Sequence, residues 1–144
     1  MDCRSNKKLN CVLLIDDDNI NNFINERLIR KTNITDEIRI VLNGKEAIDY
    51  LTARQLHERK KSPELILLDI NMPVMDGFEF LEAYKRLELY DKESVIIVML
   101  TTSANPSDTK RLDDSGVAGY INKPLTESKL KEVMDYYFEQ VSVS

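Results

Sequence analysis

The chain has 144 residues, enough for one domain and little more. With 42% hydrophobic and 31% charged residues it reads as a soluble globular protein with apolar material for one sizeable core. A net charge of −5 disfavours nucleic acid as a direct partner, and two cysteines and one histidine leave no disulfide framework and no multi-histidine metal site.

The start, Met1 to Asn10, is polar apart from Leu9 and carries no signal-peptide pattern. No apolar run approaches membrane-spanning length, so a cytoplasmic, reducing setting is expected. After a polar tail over residues 1–8, Val12-Leu13-Leu14-Ile15 is a short, wholly apolar run, opened by Cys11, which is expected to be buried. Such runs suit strands covered on both faces, as in a parallel sheet. Ile20, Phe23, Ile24 and Leu28 recur at helical spacing and mark a first helix as the apolar stripe of an amphipathic element. Ile38 to Leu42 alternates and suits an edge strand. Asn43-Gly44 opens a second helix marked by Ala47, Ile48 and Leu51.

The polar stretch His57 to Ser62 reads as an extended loop, either lengthening the second helix, serving a partner, or doing nothing. The third strand is Leu65-Ile66-Leu67-Leu68. Phe80, Leu81, Tyr84 and Leu87 mark a third helix, and Val95 to Leu100 a fourth strand. Pro106 and Asp108 suit the start of a fourth helix, but as far as Ser115 only Leu112 is strongly apolar, so this helix is either a surface element or a mobile one. Val117 to Ile121 fits a fifth strand. Leu130, Val133, Met134, Tyr137, Phe138 and Val141 give the clearest stripe, in a last helix whose N-terminal turn contains Thr126, Glu127 and Lys129. Alternating strands and helices predict an α/β fold, a doubly wound five-stranded parallel sheet with helices on both faces.

In such sheets ligands bind outside the carboxyl ends of the strands. The first strand ends in Asp16-Asp17-Asp18, the third in Asp69, the fourth in Thr101-Thr102, and the fifth runs into Lys123-Pro124. Clustered carboxylates repel one another unless a counter-charge offsets them, and a hard divalent cation such as Mg²⁺ does so through oxygen ligands. An Asp beside such an ion can act as a nucleophile toward phosphorus. Each residue also has a plainer role available: helix capping for Asp16 to Asp18, with Asp18 the best candidate, a strand-to-loop boundary for Asp69, a loop hydrogen bond for Thr101, and a solvated surface position for Lys123. The plainer roles are weak jointly, because all four positions fall at strand ends.

At these residues the chain resembles the receiver domain of two-component response regulators, of the single-domain type. The resemblance spans Leu9 to Val141 and rests on Val12 to Asp18, on Leu67-Leu68-Asp69-Ile70-Asn71-Met72-Pro73-Val74-Met75-Asp76-Gly77, on Val98 to Thr101, and on Gly119-Tyr120-Ile121-Asn122-Lys123-Pro124. It implies a flavodoxin-like sheet of order 2-1-3-4-5, with Asp69 as phosphoryl acceptor. Asp16, Asp17, Asp69 and the backbone carbonyl of Asn71 would hold Mg²⁺, the upstream acid acting through a coordinated water. Lys123 and Thr101 would meet phosphoryl oxygens, Thr101 and Tyr120 would form a switch, and the Lys123–Pro124 peptide bond would be cis. Tyr120 also admits a plain packing role. Implied partners are a sensor histidine kinase as donor, and a downstream protein or a histidine phosphotransfer protein as recipient.

Only Ser142 to Ser144 follow Val141, so output is expected through a protein contact or onward phosphoryl transfer rather than an attached domain. Other readings meet obstacles. A phosphorylation-independent interaction module would not need Asp16, Asp17, Asp69, Thr101 and Lys123 together. A metal-dependent phosphatase with an Asp nucleophile wants a second Asp two positions on, where Asn71 cannot titrate. A flavin-binding protein wants a Ser/Thr/Gly-rich phosphate loop where Asp16 to Asn22 stands.

Overall fold

The computed structural model describes residues 8–70, 72, 75–102, 110 and 117–138. The elements in chain order are β1 (Val12–Ile15), α1 (Asn19–Thr32), β2 (Ile38–Val41), α2 (Gly44–Leu56), β3 (Leu65–Asp69) and α3 (Gly77–Arg86). A short 3₁₀ turn (Lys92–Ser94), β4 (Ile96–Thr101), β5 (Gly119–Asn122) and α4 (Glu127–Tyr137) follow. The sheet is parallel, of order β2-β1-β3-β4-β5. The apolar runs of β1 and β3 are buried at every position because they lie inside the sheet with helices on both faces. β2, with its half-exposed pattern, takes an edge. The fifth strand begins at Gly119 rather than Val117. The expected fourth helix, Pro106 to Ser115, lies outside the described residues apart from Lys110, as does Cys3.

Two apolar layers sandwich the sheet. Successive side chains of a strand point to opposite faces. Val12 and Leu14 therefore join Ile29, Leu65, Leu67, Leu130 and Met134 on one face. Leu13 and Ile15 join Ala47, Leu51, Leu68, Phe80 and Met99 on the other. Helices start where polar side chains satisfy their free N–H groups. Asn43 caps α2 through Glu46 N, Asp76 and Glu79 form a reciprocal capping box at α3, and Thr126 caps α4 through Lys129 N.

α1 departs from expectation. Its apolar stripe points outward: Ile20, Phe23 and Ile24 are 71%, 59% and 53% exposed, and only Leu28 packs against the core. The buried face is Asn22, Asn25, Ile29 and Thr32. The phase of the helix is set at its start, where Asp18 accepts hydrogen bonds from Ile20 N and Asn21 N and the Asn22 side chain donates to the Asp16 carbonyl.

The His57 to Ser62 segment neither prolongs α2, which ends at Leu56, nor stands free. Buried Arg54 donates to the Lys61 carbonyl and to Glu37 and Tyr50, while Ser62 donates its N–H and hydroxyl to Asp91 at 2.7 and 2.8 Å. These bonds fasten the loop at the end of the sheet opposite the acidic residues. His57 is exposed at the end of α2, and Cys11 is buried.

Candidate functional site

The parallel register aligns Ile15 with Leu68, so the residues that follow, Asp16 and Asp69, meet at the carboxyl end of adjacent strands. Both are nearly inaccessible, at 3% and 4% exposure, whereas Asp17 is exposed. One carboxylate oxygen from each of Asp16, Asp17 and Asp69 lies within 4.8 Å of the others. From the far side of the sheet Lys123 reaches in, its Nζ 2.9 Å from Asp69 Oδ1.

Local structure explains why Lys123 points there. Its backbone N–H donates to the Thr101 carbonyl at 2.8 Å, stitching the loop after β5 to the end of β4. The Lys123–Pro124 peptide is cis, and Lys129 of α4 donates to the carbonyls of Asn122 and Pro124 at 2.7 and 3.0 Å. Thr101, 2% exposed, ends β4 beside Asp69's strand. It pairs with Asn122, and Tyr120 lies two residues before Asn122, so Thr101 and Tyr120 share a face of the sheet. Tyr120 is 44% exposed and lines an open groove of about 410 Å³ with β5 and α4 residues including Lys129, Val133 and Tyr136.

Below Asp69 the chain turns sharply. Gly77 donates its N–H to the Ile70 carbonyl at 2.9 Å, and a Cβ there would stand 2.9 Å from the Asp69 carbonyl oxygen and 2.8 Å from Met99 Cε. Only glycine lets α3 start this close beneath β3. The Asn71 carbonyl lies outside the described residues.

Electrostatically the pocket is under strain. Burial pushes the Asp16 carboxyl up from 3.8 to about 6; the Asp18 amide opposes this, Asp69 and Asp17 add to it, and Lys123 counters them. Asp16 Oδ1 accepts from Asp18 N at 2.9 Å, but Oδ2 is buried without a hydrogen-bond partner. A buried carboxylate oxygen lacking a donor, inside an all-oxygen cluster, fits a hard divalent cation of the Mg²⁺ kind. Asp16, Asp17, Asp69, Thr101 and Lys123 are thus drawn to one end of the sheet. Asn22, whose side chain holds the Asp16 carbonyl, was not among the residues expected there. Its one sequence signal is a polar position opposite the apolar stripe of α1.

The model of the response regulator receiver domain matches residues 12–135. The chain is 33% identical over 126 residues to a probable methanogenesis regulatory protein, FilR2, of Methanothrix harundinacea, covering 86% of this chain and 78% of that one. It is 34% identical over 122 residues to two-component response regulator 24 of Arabidopsis thaliana, covering 85% and 79%. Among solved structures, a two-component response regulator from Cytophaga hutchinsonii superposes with a TM-score of 0.81 at 34% identity, covering 92% of this chain and 99% of that one. The chain belongs to the response regulator receiver family. Receiver domains are signalling proteins of two-component systems rather than classical enzymes, and they bind Mg²⁺ at an acidic site. No helix among the described residues is long and apolar enough to cross a membrane.

Proposed function

We propose that the chain accepts a phosphoryl group on Asp69 from the phosphohistidine of a sensor kinase, and that the modification changes what it binds or is passed on. The observation that carries this reading is the pairing of buried Asp69 with Lys123 at 2.9 Å, beside two further carboxylates. A carboxylate oxygen of Asp69 attacks phosphorus as the donor's N–P bond breaks, leaving the bond's electrons on the imidazole and an acyl phosphate on Asp69. Asp16, Asp17, Asp69 and the Asn71 carbonyl would hold Mg²⁺, which offsets the charge between carboxylate and phosphoryl oxygens when bound. Lys123 exchanges its carboxylate partner for a phosphoryl oxygen, and Thr101 donates its hydroxyl to another. These groups supply positioning and charge stabilisation, the main requirements of phosphoryl transfer. Water later hydrolyses the acyl phosphate.

Thr101 and Tyr120 then convert modification into signal. Contacts that exist only with the phosphoryl group bias Thr101 toward it, and Tyr120, on the same face of the sheet, follows. The groove lined by β5 and α4 changes shape. Borohydride reduction after incubation with acetyl phosphate and Mg²⁺ tests the acceptor, because it converts an aspartyl phosphate to homoserine. Homoserine at position 69 is the expected result; homoserine elsewhere, or none while a known receiver is labelled in parallel, contradicts it.

The outward stripe of α1 supports a protein donor. Ile20, Phe23 and Ile24 are large, exposed and apolar, and they begin two residues after Asp18, at the lip of the acidic site. Arg27 lies over the Phe23 ring at 5.6 Å, placing a cation beyond the apolar patch. A helical donor seated there brings its phosphohistidine to Asp69. Phe23→Ser is expected to slow transfer from the kinase about tenfold or more and to leave labelling by acetyl phosphate unchanged. Equal loss with both donors would place the defect in the site rather than in docking.

A further inference from the structure

We infer that Asn22 is a positioning residue that holds the Asp16–Asp18 turn in the geometry that binds a divalent cation. This rests on the reading that the acidic turn takes such an ion.

Asn22 is out of place by composition. It is 4% exposed on the core-facing side of α1, where an apolar residue would pack at less desolvation cost. Asn is also a mediocre helix former. The answer lies on its Nδ2, since its Oδ1 is buried without a hydrogen-bond partner and adds to the desolvation cost. Its side-chain Nδ2 donates to the Asp16 carbonyl at 2.8 Å, a bond that a leucine could not make, while its backbone N–H makes the first intrahelical bond of α1, to the Asp18 carbonyl at 3.0 Å, as any non-proline residue here would. One residue therefore grips the carbonyls on both sides of Asp17. The rest of the turn is tied down as well: the Asp16 N–H donates to the Val41 carbonyl at 3.1 Å, and the Asp18 N–H to Asp16 Oδ1 at 2.9 Å.

The grip has something to resist. Carboxylate oxygens of Asp16, Asp17 and Asp69 are held within 4.8 Å of one another, and their mutual repulsion favours swinging the Asp16–Asp18 turn away from β3. A clamp on the turn's backbone keeps the oxygens together before any cation arrives, so less of the binding energy goes into reorganisation. Outer hydrogen bonds of this kind commonly change metal affinity by about 10–100-fold. Asn22 does not touch the ion in this account. It acts through the backbone that carries Asp16 and Asp17. Asn25, one turn on along the same buried face, is the natural comparison, since it is 9% exposed and part of the same packing layer.

The test is a Mn²⁺ titration followed by electron paramagnetic resonance on the full chain, comparing wild type, Asn22→Leu and Asn25→Leu, with folding checked by circular dichroism. Asn22→Leu removes the donor while keeping the branched heavy-atom skeleton and is expected to weaken Mn²⁺ at least about tenfold, whereas Asn25→Leu, the same change of shape and bulk, stays within about twofold. Unchanged affinity in folded Asn22→Leu, or equal weakening in both variants, overturns the inference while the cation site stands. Failure of the wild type to bind Mn²⁺ overturns both. A measurement on the wild type alone covers the case in which Asn22→Leu does not fold. The Asn22 side-chain amide protons are expected to exchange slowly with solvent in the metal-free protein, and rapid exchange contradicts the clamp.

Discussion

Asp16→Asn is expected to make the metal-free protein more stable while abolishing its response to Mg²⁺. In the wild type the Asp16 carboxyl is held at about 6 against an ordinary 3.8. Well below 3.8 it is protonated in folded and unfolded chains alike and carries no penalty. Between those values the folded chain holds a proton that the unfolded chain has released, so stability falls as pH rises. Above about 6 the fold bears the whole cost of an ionised, buried carboxylate, and the rise from 3.8 to about 6 corresponds to about 3 kcal/mol. Asparagine keeps an oxygen for the Asp18 amide and removes the charge. At neutral pH, without metal, the variant should melt several degrees higher, for a gain of roughly 1–3 kcal/mol. Adding Mg²⁺ should raise the melting temperature of the wild type and leave the variant unmoved. Thermal melts from about pH 4 to about pH 8, with and without Mg²⁺, check this. A variant less stable than wild type at neutral pH would show that the acidic pocket is not strained.

Lys123→Met should have the opposite profile: cation binding survives and phosphorylation is lost. The Nζ of Lys123 lies 2.9 Å from Asp69 Oδ1 and supplies a counter-charge to the cluster without metal. Methionine fills similar space without charge, so the site becomes more negative and Mn²⁺ or Mg²⁺ affinity should hold or rise. The phosphoryl oxygens lose a preorganised donor, a change commonly worth about 10²–10³ in rate. Labelling by acetyl phosphate should therefore fall about a hundredfold at saturating Mg²⁺. A fall that excess Mg²⁺ restores would assign Lys123 to metal affinity instead.

The interior strands were legible because β1 and β3 are apolar at every position but the last of β3, the pattern that burial on both faces demands. The strand-end residues were legible for the same reason: once the runs are strands of one parallel sheet, Asp16, Asp69, Thr101 and Lys123 must gather at its carboxyl edge. α1 was legible as a helix but not in its orientation. A stripe at Ile20, Phe23 and Ile24 ordinarily marks the core face, yet the Asp18 cap and the Asn22 side chain rotate it outward. Helical periodicity records that a helix has two faces and says nothing of which one a neighbouring site requires. The role of residues 57–62 was illegible because it depends on partners distant in sequence, Ser62 donating to Asp91 and accepting at its carbonyl from the Asn10 side chain. The onset of β5 was misjudged because Val117, though apolar, precedes the ladder that starts where Gly119 pairs with Val98.

The most direct measurement is intact-mass spectrometry of the chain after incubation with acetyl phosphate, with and without Mg²⁺, on wild type and Asp69→Asn. A single phosphoryl adduct that requires Mg²⁺ and is absent from Asp69→Asn is the predicted result. An adduct that forms without Mg²⁺ or persists in Asp69→Asn would contradict the account. So would the absence of any adduct, together with no binding of a stable phosphoryl mimic, under conditions that label a known receiver; the chain would then stand as a phosphorylation-independent interaction module.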